Sequence, residues 1–132
     1  MKLSDYVAQK VADLGINHVF MVTGGGAMHL NHSLGINDNL ECIFNHHEQA
    51  CAMAAESYYR LTNKLALVNV TSGPGGTNTI TGVYGAFVDS IGMIVVSGQV
   101  KYETTVRSTG LPLRQYGDQE LDIEQLVRPI TK

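Results

Sequence analysis

The chain has 132 residues, of which 44% are hydrophobic and 16% are charged, and its formal net charge is −3 at pH 7. These values fit one compact globular domain, and the lack of a Lys/Arg cluster argues against a nucleic-acid-binding surface. No apolar run approaches the roughly 20 residues that span a bilayer, and the N-terminus lacks the apolar region of a signal peptide. Because Cys42 and Cys51 show neither metal-site nor redox spacing, we expect a cytosolic protein with reduced thiols.

Predicted strands and helices alternate along the chain. Ser4 is a candidate N-cap for a first helix that ends near Gly15. Strands are predicted at 18–22, 40–44, 65–70 and 93–97, and helices at 27–34, 48–61, 75–89 and within 118–127. The strands are apolar throughout, which is typical of a parallel sheet covered on both faces. We therefore predict an α/β fold with a doubly wound parallel sheet and helices on both faces.

Two glycine-rich turns, 24–26 and 72–76, each follow a predicted strand and precede a helix. Doubly wound sheets place their ligands at such turns. However, the first turn departs from the dinucleotide fingerprint, and the second lacks the Gly-Lys-Ser/Thr of a phosphate-binding loop. Taken alone, each turn favours a structural role. A backbone this bare can nevertheless approach a flat heterocycle, to which Thr71 or Asn78 could offer hydrogen bonds.

Glu48 lies where a predicted strand is followed by an alanine-rich helix. The N-terminus of a helix favours the charged form of a carboxyl group, whereas apolar surroundings favour the protonated form. A carboxyl group whose charge depends on what binds beside it is a candidate proton donor and acceptor. On position alone, however, an ordinary exposed helix-start glutamate is the better explanation.

Several short motifs follow one another in a fixed order. They are His47-Glu48-Gln49-Ala50, Thr71-Ser72-Gly73-Pro74-Gly75 with Thr77-Asn78, Asp89-Ser90, and Ser97-Gly98-Gln99-Val100. In this order and spacing, the chain resembles the N-terminal pyrimidine-binding domain of thiamine-diphosphate enzymes related to acetolactate synthase. The similarity extends from Ser4 to the final residues 128–132.

The resemblance implies that Glu48 hydrogen-bonds N1′ of the aminopyrimidine ring of thiamine diphosphate and thereby activates the cofactor for attack on a 2-oxo acid. The cofactor then serves as the electron sink for decarboxylation. The resemblance also implies that four further residues lie beside the cofactor: Gly24, Gly25, Pro74 and Asn78.

Gln119 matches a glutamine that lies near the substrate in the synthases. Asp118, however, stands where these enzymes carry phenylalanine, so we expect a substrate pocket unlike that of a true acetolactate synthase. Thr23 and Gly24 likewise replace a frequent Tyr-Pro pair. His46 and His47 are candidates for carrying protons, but a role in holding the loop is at least as plausible.

In the family, Mg²⁺ holds the diphosphate through a Gly-Asp-Gly motif on a separate domain, and this chain has no such motif. We therefore expect residues 1–132 to form a single pyrimidine-binding domain that lacks the middle and diphosphate-binding domains and is inactive alone. An excised N-terminal domain is favoured, because residues 131–132 stop in mid-pattern.

Two alternatives stay open: one subunit of a split two-chain 2-oxo acid decarboxylase, or a non-catalytic binding or regulatory module on the same fold. Because active sites of the family form between the pyrimidine domain of one subunit and the diphosphate-binding domain of another, we also expect exposed apolar surface. Such surface favours self-association and a homo-oligomer.

Overall fold

A computed structural model describes all 132 residues and contains one sheet of four parallel strands in the order β2-β1-β3-β4. The strands are His18–Met21 (β1), Glu41–Phe44 (β2), Leu67–Val70 (β3) and Ile94–Ser97 (β4). Phe20 of β1 pairs with Ile43 on one side and with Val68 on the other, so that β1 and β3 are the central strands. The predicted parallel sheet is confirmed.

The chain has seven α-helices. They are Leu3–Asp13 (α1), Met28–Gly35 (α2), Glu48–Thr62 (α3), Pro74–Asn78 (α4), Ile80–Val88 (α5), Val106–Thr109 (α6) and Ile123–Val127 (α7), with short 3-10 turns at Gly25–Ala27, Tyr102–Thr104 and Arg128–Ile130. Successive strand side chains point to opposite faces of a sheet. Val19 therefore packs against α1 and α2, whereas Phe20 packs against α3, and two apolar cores lie on the two faces.

The first helix begins earlier than the sequence predicts. Lys2, not Ser4, is its N-cap residue, and the backbone N–H of Lys2 donates to the carboxylate of Asp5 at 3.3 Å. Ser4 is buried instead, with its Oγ 2.8 Å from the Ser33 hydroxyl of α2, which also donates to Asp5 at 2.7 Å. The hydrogen bond from Ser33 lowers the pKa of Asp5. The prediction was wrong because the polar partner of Ser4 lies far away in sequence.

The helix predicted at 75–89 is divided into α4 and α5 at Thr79. Thr79 is buried, and its hydroxyl donates to the backbone carbonyl of Gly76 at 2.7 Å. Such a local hydrogen bond competes with regular helix, and the preceding pair Gly75-Gly76 has a low helix propensity. The break separates the second glycine turn, which belongs to α4, from the helix that packs on α3.

Gly82 allows α5 to pack closely against α3. A Cβ atom at Gly82 would lie 2.6 Å from the Cβ of Ala52 and 3.1 Å from backbone atoms of α3. At Gly85, on the same helix, the nearest atom would be the Oε2 of Glu56 at an ordinary 3.6 Å. Close packing therefore requires only the first of these two glycines.

The polar segment after β4 is anchored by one carboxylate. Glu120 accepts a hydrogen bond from the backbone N–H of Val106 at 2.7 Å, from Tyr116 at 3.0 Å and from Gly117 at 2.6 Å. Backbone N–H groups favour the charged form of a carboxyl group. The bond from Val106 is the largest cause that lowers the pKa of Glu120, followed by the bonds from Gly117 and Tyr116. This one side chain thus holds together backbone that is distant along the loop.

The two glycines of α5 provide a matched test of the packing. We expect Gly82→Ala to lower the free energy of unfolding by about 1–3 kcal/mol, since the added methyl group overlaps α3. Gly85→Ala should raise it by up to about 1 kcal/mol, because alanine favours helix more than glycine does. Urea denaturation of the two variants measures both values. Effects of the same sign and size would contradict the proposed packing of α5 on α3.

Glu120 gives a prediction for pH dependence. Its folded-state pKa lies below the ordinary value of 4.5, so its stabilisation of the loop is fully present above that value and disappears as the pH falls through the lower folded pKa. Glu120→Gln, with one acceptor oxygen in place of two, should speed tryptic cleavage at Arg107 and Arg114 at neutral pH. The amide NMR signals of Val106 and Gly117 in the unmodified chain should move only under acidic conditions.

Glu103→Gln is the control, because Glu103 lies exposed on the same segment. Cleavage of the Glu120→Gln variant at the rate of this control would show that the carboxylate of Glu120 does not anchor the loop.

Candidate functional site

The two glycine-rich turns meet at the carboxyl ends of the central strands β1 and β3. Along the chain, β1 is followed by β2 on one side, whereas β3 pairs on the other side of β1. This is the topological switch point at which doubly wound sheets bind ligands. The backbone N–H of Gly26 donates to the Oγ1 of Thr71 at 3.0 Å and joins the two turns directly.

The turns touch because their glycines carry no side chains. A Cβ atom at Gly24 would lie 2.5 Å from the Cβ of Thr71, and one at Gly26 would lie 2.7 Å from the Oγ of Ser72. Gly73 has a φ of +54°, and a Cβ atom there would lie 2.1 Å from a backbone oxygen. Gly25 differs, since no atom lies within 4 Å of the position of its Cβ. Packing explains Gly24, Gly26 and Gly73, whereas Gly25 leaves space that a ligand could use.

Glu48 is the first residue of α3 and is half-buried. Its Oε2 accepts a hydrogen bond from the Nδ2 of Asn78 at 2.9 Å. A Cβ atom at Gly75 would lie 3.7 Å from its Oε1 and 2.7 Å from the Cγ2 of Thr71. The start of α3 and the second glycine turn therefore come together, and the carboxylate lies beside bare backbone.

His47 caps α3 directly before Glu48. Its Nδ1 accepts a hydrogen bond from the backbone N–H of Gln49 at 3.1 Å, while His46 is exposed. Of the two roles considered for His47, the structure shows the one that holds the loop. The cap also orients the first turn of the helix that carries Glu48.

Cys51 lies one turn beyond Glu48 and is fully buried. Burial, followed by the negative charge of Glu48, raises the pKa of Cys51 to about 11. Its thiol donates a weak hydrogen bond to Asn45 at 3.5 Å. Cys51 is therefore neutral at physiological pH and serves as a small core residue beside the carboxylate.

A cleft of about 960 Å³ opens on the other side of the first turn. Gly24, Gly25 and Gln119 line it together with polar residues that include His29 and Lys101. Glu48, Pro74 and Asn78 do not line this cleft. The structure thus divides the predicted site residues into two groups. Thr71 lies between the two turns, since it packs against Gly24 of the first turn and Gly75 of the second.

Pro74 and Gln119 occupy special positions in the backbone. Pro74 is the first residue of α4, where its fixed φ and missing N–H suit a helix start. Gln119 is exposed and has a φ of +51°, and its backbone carbonyl packs against Gly73. Gln119 therefore links the loop anchored by Glu120 to the second glycine turn.

Two asparagines near the site were missed by the sequence analysis. Asn69 is fully buried in β3, and its Nδ2 donates to the Oδ1 of Asn31 at 2.7 Å. The Nδ2 of Asn31 donates in turn to the backbone carbonyl of Gly24 at 3.2 Å. The Oδ1 of Asn69 has no partner, and an unpaired buried acceptor costs about 1–3 kcal/mol. The feature of the sequence that could have identified Asn69 is its polar side chain within the otherwise apolar run Leu67–Val70.

No group of three or more His, Cys, Asp or Glu residues is placed to hold a metal ion. None of the helices combines the length and the apolar character needed to cross a membrane.

Comparison with known proteins identifies the family. Residues 1–126 match the family described as thiamine pyrophosphate enzyme, N-terminal TPP binding domain. The chain is 38% identical over 129 residues to the acetolactate synthase large subunit of Buchnera aphidicola (from Acyrthosiphon pisum) and 34% identical over 129 residues to the acetolactate synthase isozyme 3 large subunit of Escherichia coli K12. It is 31% identical over 134 residues to the chloroplastic acetolactate synthase of Arabidopsis thaliana.

These matches cover 98–99% of this chain but only 18–21% of the relatives. The chain therefore spans about one fifth of the length of the curated relatives it matches. Together with the parallel sheet and the paired turns, these findings show that the chain belongs to the family of N-terminal TPP-binding domains of thiamine pyrophosphate enzymes.

Proposed function

We propose that this chain is the aminopyrimidine-binding part of a thiamine-diphosphate-dependent 2-oxo acid decarboxylase or carboligase, in which Glu48 controls one proton on the cofactor. The observation that carries the proposal is the half-buried carboxylate of Glu48, held by Asn78 at 2.9 Å beside the bare backbone of Gly75. The names of the acetolactate synthase relatives support the reaction class.

The residues at the turns fit a flat ring. Asn78 donates to Oε2 of Glu48 and leaves Oε1 as an acceptor beside Gly75, where a Cβ atom would lie only 2.7 Å from the Cγ2 of Thr71. At Gly25, by contrast, no atom lies within 4 Å of the Cβ position. A planar heterocycle with a ring nitrogen meets these requirements better than a branched ligand, because bare backbone allows close approach from the side.

When bound, thiamine diphosphate supplies the stabilisation of a carbanion that decarboxylation of a 2-oxo acid needs. The contribution of this chain is to hold and move a proton. Glu48 is the first residue of α3, and the hydrogen bond from Asn78 to its Oε2 fixes the direction in which the carboxylate points. Its Oε1 can then share a proton with N1′ of the aminopyrimidine.

The remaining predicted residues have supporting roles in this proposal. Gly24 and Gly25 form the wall between the ring and the cleft, and Pro74 sets the direction of the second turn. Gln119 lines the cleft on the substrate side, next to Asp118. A charged residue there, in place of phenylalanine, supports a substrate different from that of acetolactate synthase.

The diphosphate and its Mg²⁺ would be held by residues outside this chain, either on the same polypeptide or on a second one. The chain alone would then bind the cofactor weakly and would not turn over. In a split two-chain enzyme, a neighbouring reading frame would encode the Gly-Asp-Gly motif, and the role of Glu48 would be the same.

The surface of α3 and α5 supports assembly with such a partner. Exposed apolar side chains on these helices include Met53 and Leu61 of α3 and Tyr84, Phe87 and Val88 of α5, and about half of the surface of the three α5 residues is accessible. Exposed apolar surface that exceeds what a monomer usually shows marks protein interfaces.

We expect the isolated chain to self-associate through this surface. Phe87→Glu should shift the equilibrium toward monomer without loss of helix, since Phe87 is exposed. Sedimentation velocity over a range of concentrations measures the shift. A chain that stays monomeric at the highest concentration would contradict the assignment of this surface as an interface.

Glu48→Gln tests the proposed chemistry in the protein combined with its diphosphate-binding part. The amide keeps the shape and the contact with Asn78 but holds no titratable proton, so the decarboxylation rate should fall by about 10²–10⁴-fold. Glu56→Gln is the matched control on the same helix, where Glu56 pairs with Arg60 on the surface. Steady-state turnover of a 2-oxo acid, with bound thiamine diphosphate measured separately, should show the loss only in the first variant.

If Glu48→Gln turned over at the rate of the control, the proposal of a catalytic glutamate would be wrong. A non-catalytic binding module on the same fold would then explain the chain better.

A further inference from the structure

We propose that Asn31 and Asn69 are positioning residues that fix the Gly24–Gly25 peptide at the wall of the cleft. Their importance for the reaction rests on the function proposed above, whereas their effect on the turn does not. Neither asparagine touches the position proposed for the ring, and both act through the backbone carbonyl of Gly24.

Asn69 lies at a position in β3 where the fold requires only an apolar side chain. It is fully buried in a central strand, in register with Met21 of β1 and Val96 of β4. Met21 belongs to the apolar core on that face of the sheet, and Val96 packs against this core. The backbone of β3 pairs with both neighbours without help from this side chain. Its amide N–H reaches Asn31, but its carbonyl oxygen has no partner. A buried amide with an unpaired oxygen in an apolar core indicates a role beyond packing.

The role of the two asparagines follows from the last acceptor in this series of hydrogen bonds, the backbone carbonyl of Gly24. The carbonyl of Gly24 accepts from the Nδ2 of Asn31 at 3.2 Å and from the backbone N–H of Ala27 at 3.1 Å. A trans peptide points its N–H opposite to its C=O, so these two bonds also direct the N–H of Gly25 away from Asn31. Since Gly25 lines the cleft, the direction of this peptide shapes the cleft wall.

β3 and the residue that follows it hold the first turn at two points. Asn69 lies in β3, and Thr71 comes directly after the last residue of that strand. Asn69 acts on Gly24 through Asn31, while Thr71 accepts directly from the N–H of Gly26. The peptide groups on either side of Gly25 are therefore fixed, although Gly25 itself has no packing neighbour that would restrain it.

The test uses four variants of the 132-residue chain: Asn31→Leu, Asn69→Leu, the double variant, and Ser33→Ala as control. Ser33 is buried on the same helix as Asn31 and ties α2 to α1 through Ser4 and Asp5, without contact to Gly24. Amide hydrogen exchange of Gly26 and Ala27, whose N–H groups donate to Thr71 and to the carbonyl of Gly24, is measured by NMR and reports on the turn. Urea denaturation reports on global stability.

We expect both single asparagine variants to exchange at Gly26 and Ala27 about tenfold faster than the unmodified chain, after correction for global stability. In the double variant, two leucines should pack together and recover stability, but exchange in the turn should remain fast. Ser33→Ala should lower stability and leave turn exchange unchanged. If the two asparagines were purely structural, exchange in the turn would change together with global stability in every variant.

The proposal is overturned if exchange at Gly26 and Ala27 follows global stability in all four variants, or if the double variant restores the turn. Neither result depends on Glu48 or on cofactor, so failure here is distinguishable from failure of the proposed reaction. Fast exchange in Asn31→Leu together with full activity of Glu48→Gln would keep the positioning role and reject the catalytic one.

Discussion

The close approach of two bare backbone turns, at the carboxyl ends of β1 and β3, is the constraint on which the site depends. The hydroxyl of Thr71 lies against Gly24 and accepts from Gly26, and the same side chain lies against Gly75. Adjacent parallel strands bring their ends within about 5 Å of each other, so that side chains on both turns would collide. Their absence lets Glu48, at the start of α3, lie beside the second turn rather than in bulk water.

Around this contact, a small number of polar side chains hold the backbone at defined positions. Glu48 is held by Asn78, the first turn by Asn31 and Thr71, and the loop after β4 by Glu120. The bonds of Glu48 and Thr71 join residues distant in sequence, whereas Asn31 and Glu120 also hold backbone within seven residues of themselves. The apolar cores on the two faces of the sheet provide the stability, and the few polar contacts determine the geometry of the site.

The strands and main helices were predictable from the sequence, because apolar runs and alanine-rich segments report local structure directly. The glycine turns were recognisable for the same reason, and the ordered motifs supplied the role proposed for Glu48. The burial of Ser4 against Ser33 and the bond from Val106 to Glu120 could not be predicted, because they join residues distant in sequence. The division of the helix at Thr79 was missed for another reason: the hydroxyl of Thr79 bonds locally to Gly76, and a sequence pattern does not show whether such a bond replaces regular helix. Asn69 was visible as a polar interruption of a strand, but its partner Asn31 was not.

The way in which Glu120 holds the loop has an evolutionary consequence. The carboxylate binds only backbone N–H groups, at Val106, Tyr116 and Gly117, and none of the side chains at these positions takes part in the anchor. Substitutions along the loop can therefore alter the chemistry presented to the cleft while the loop keeps its path. Proteins that descend from such a domain can change the ligand they bind without losing the fold, because the side chains that line the cleft are separate from the carboxylate that holds the loop.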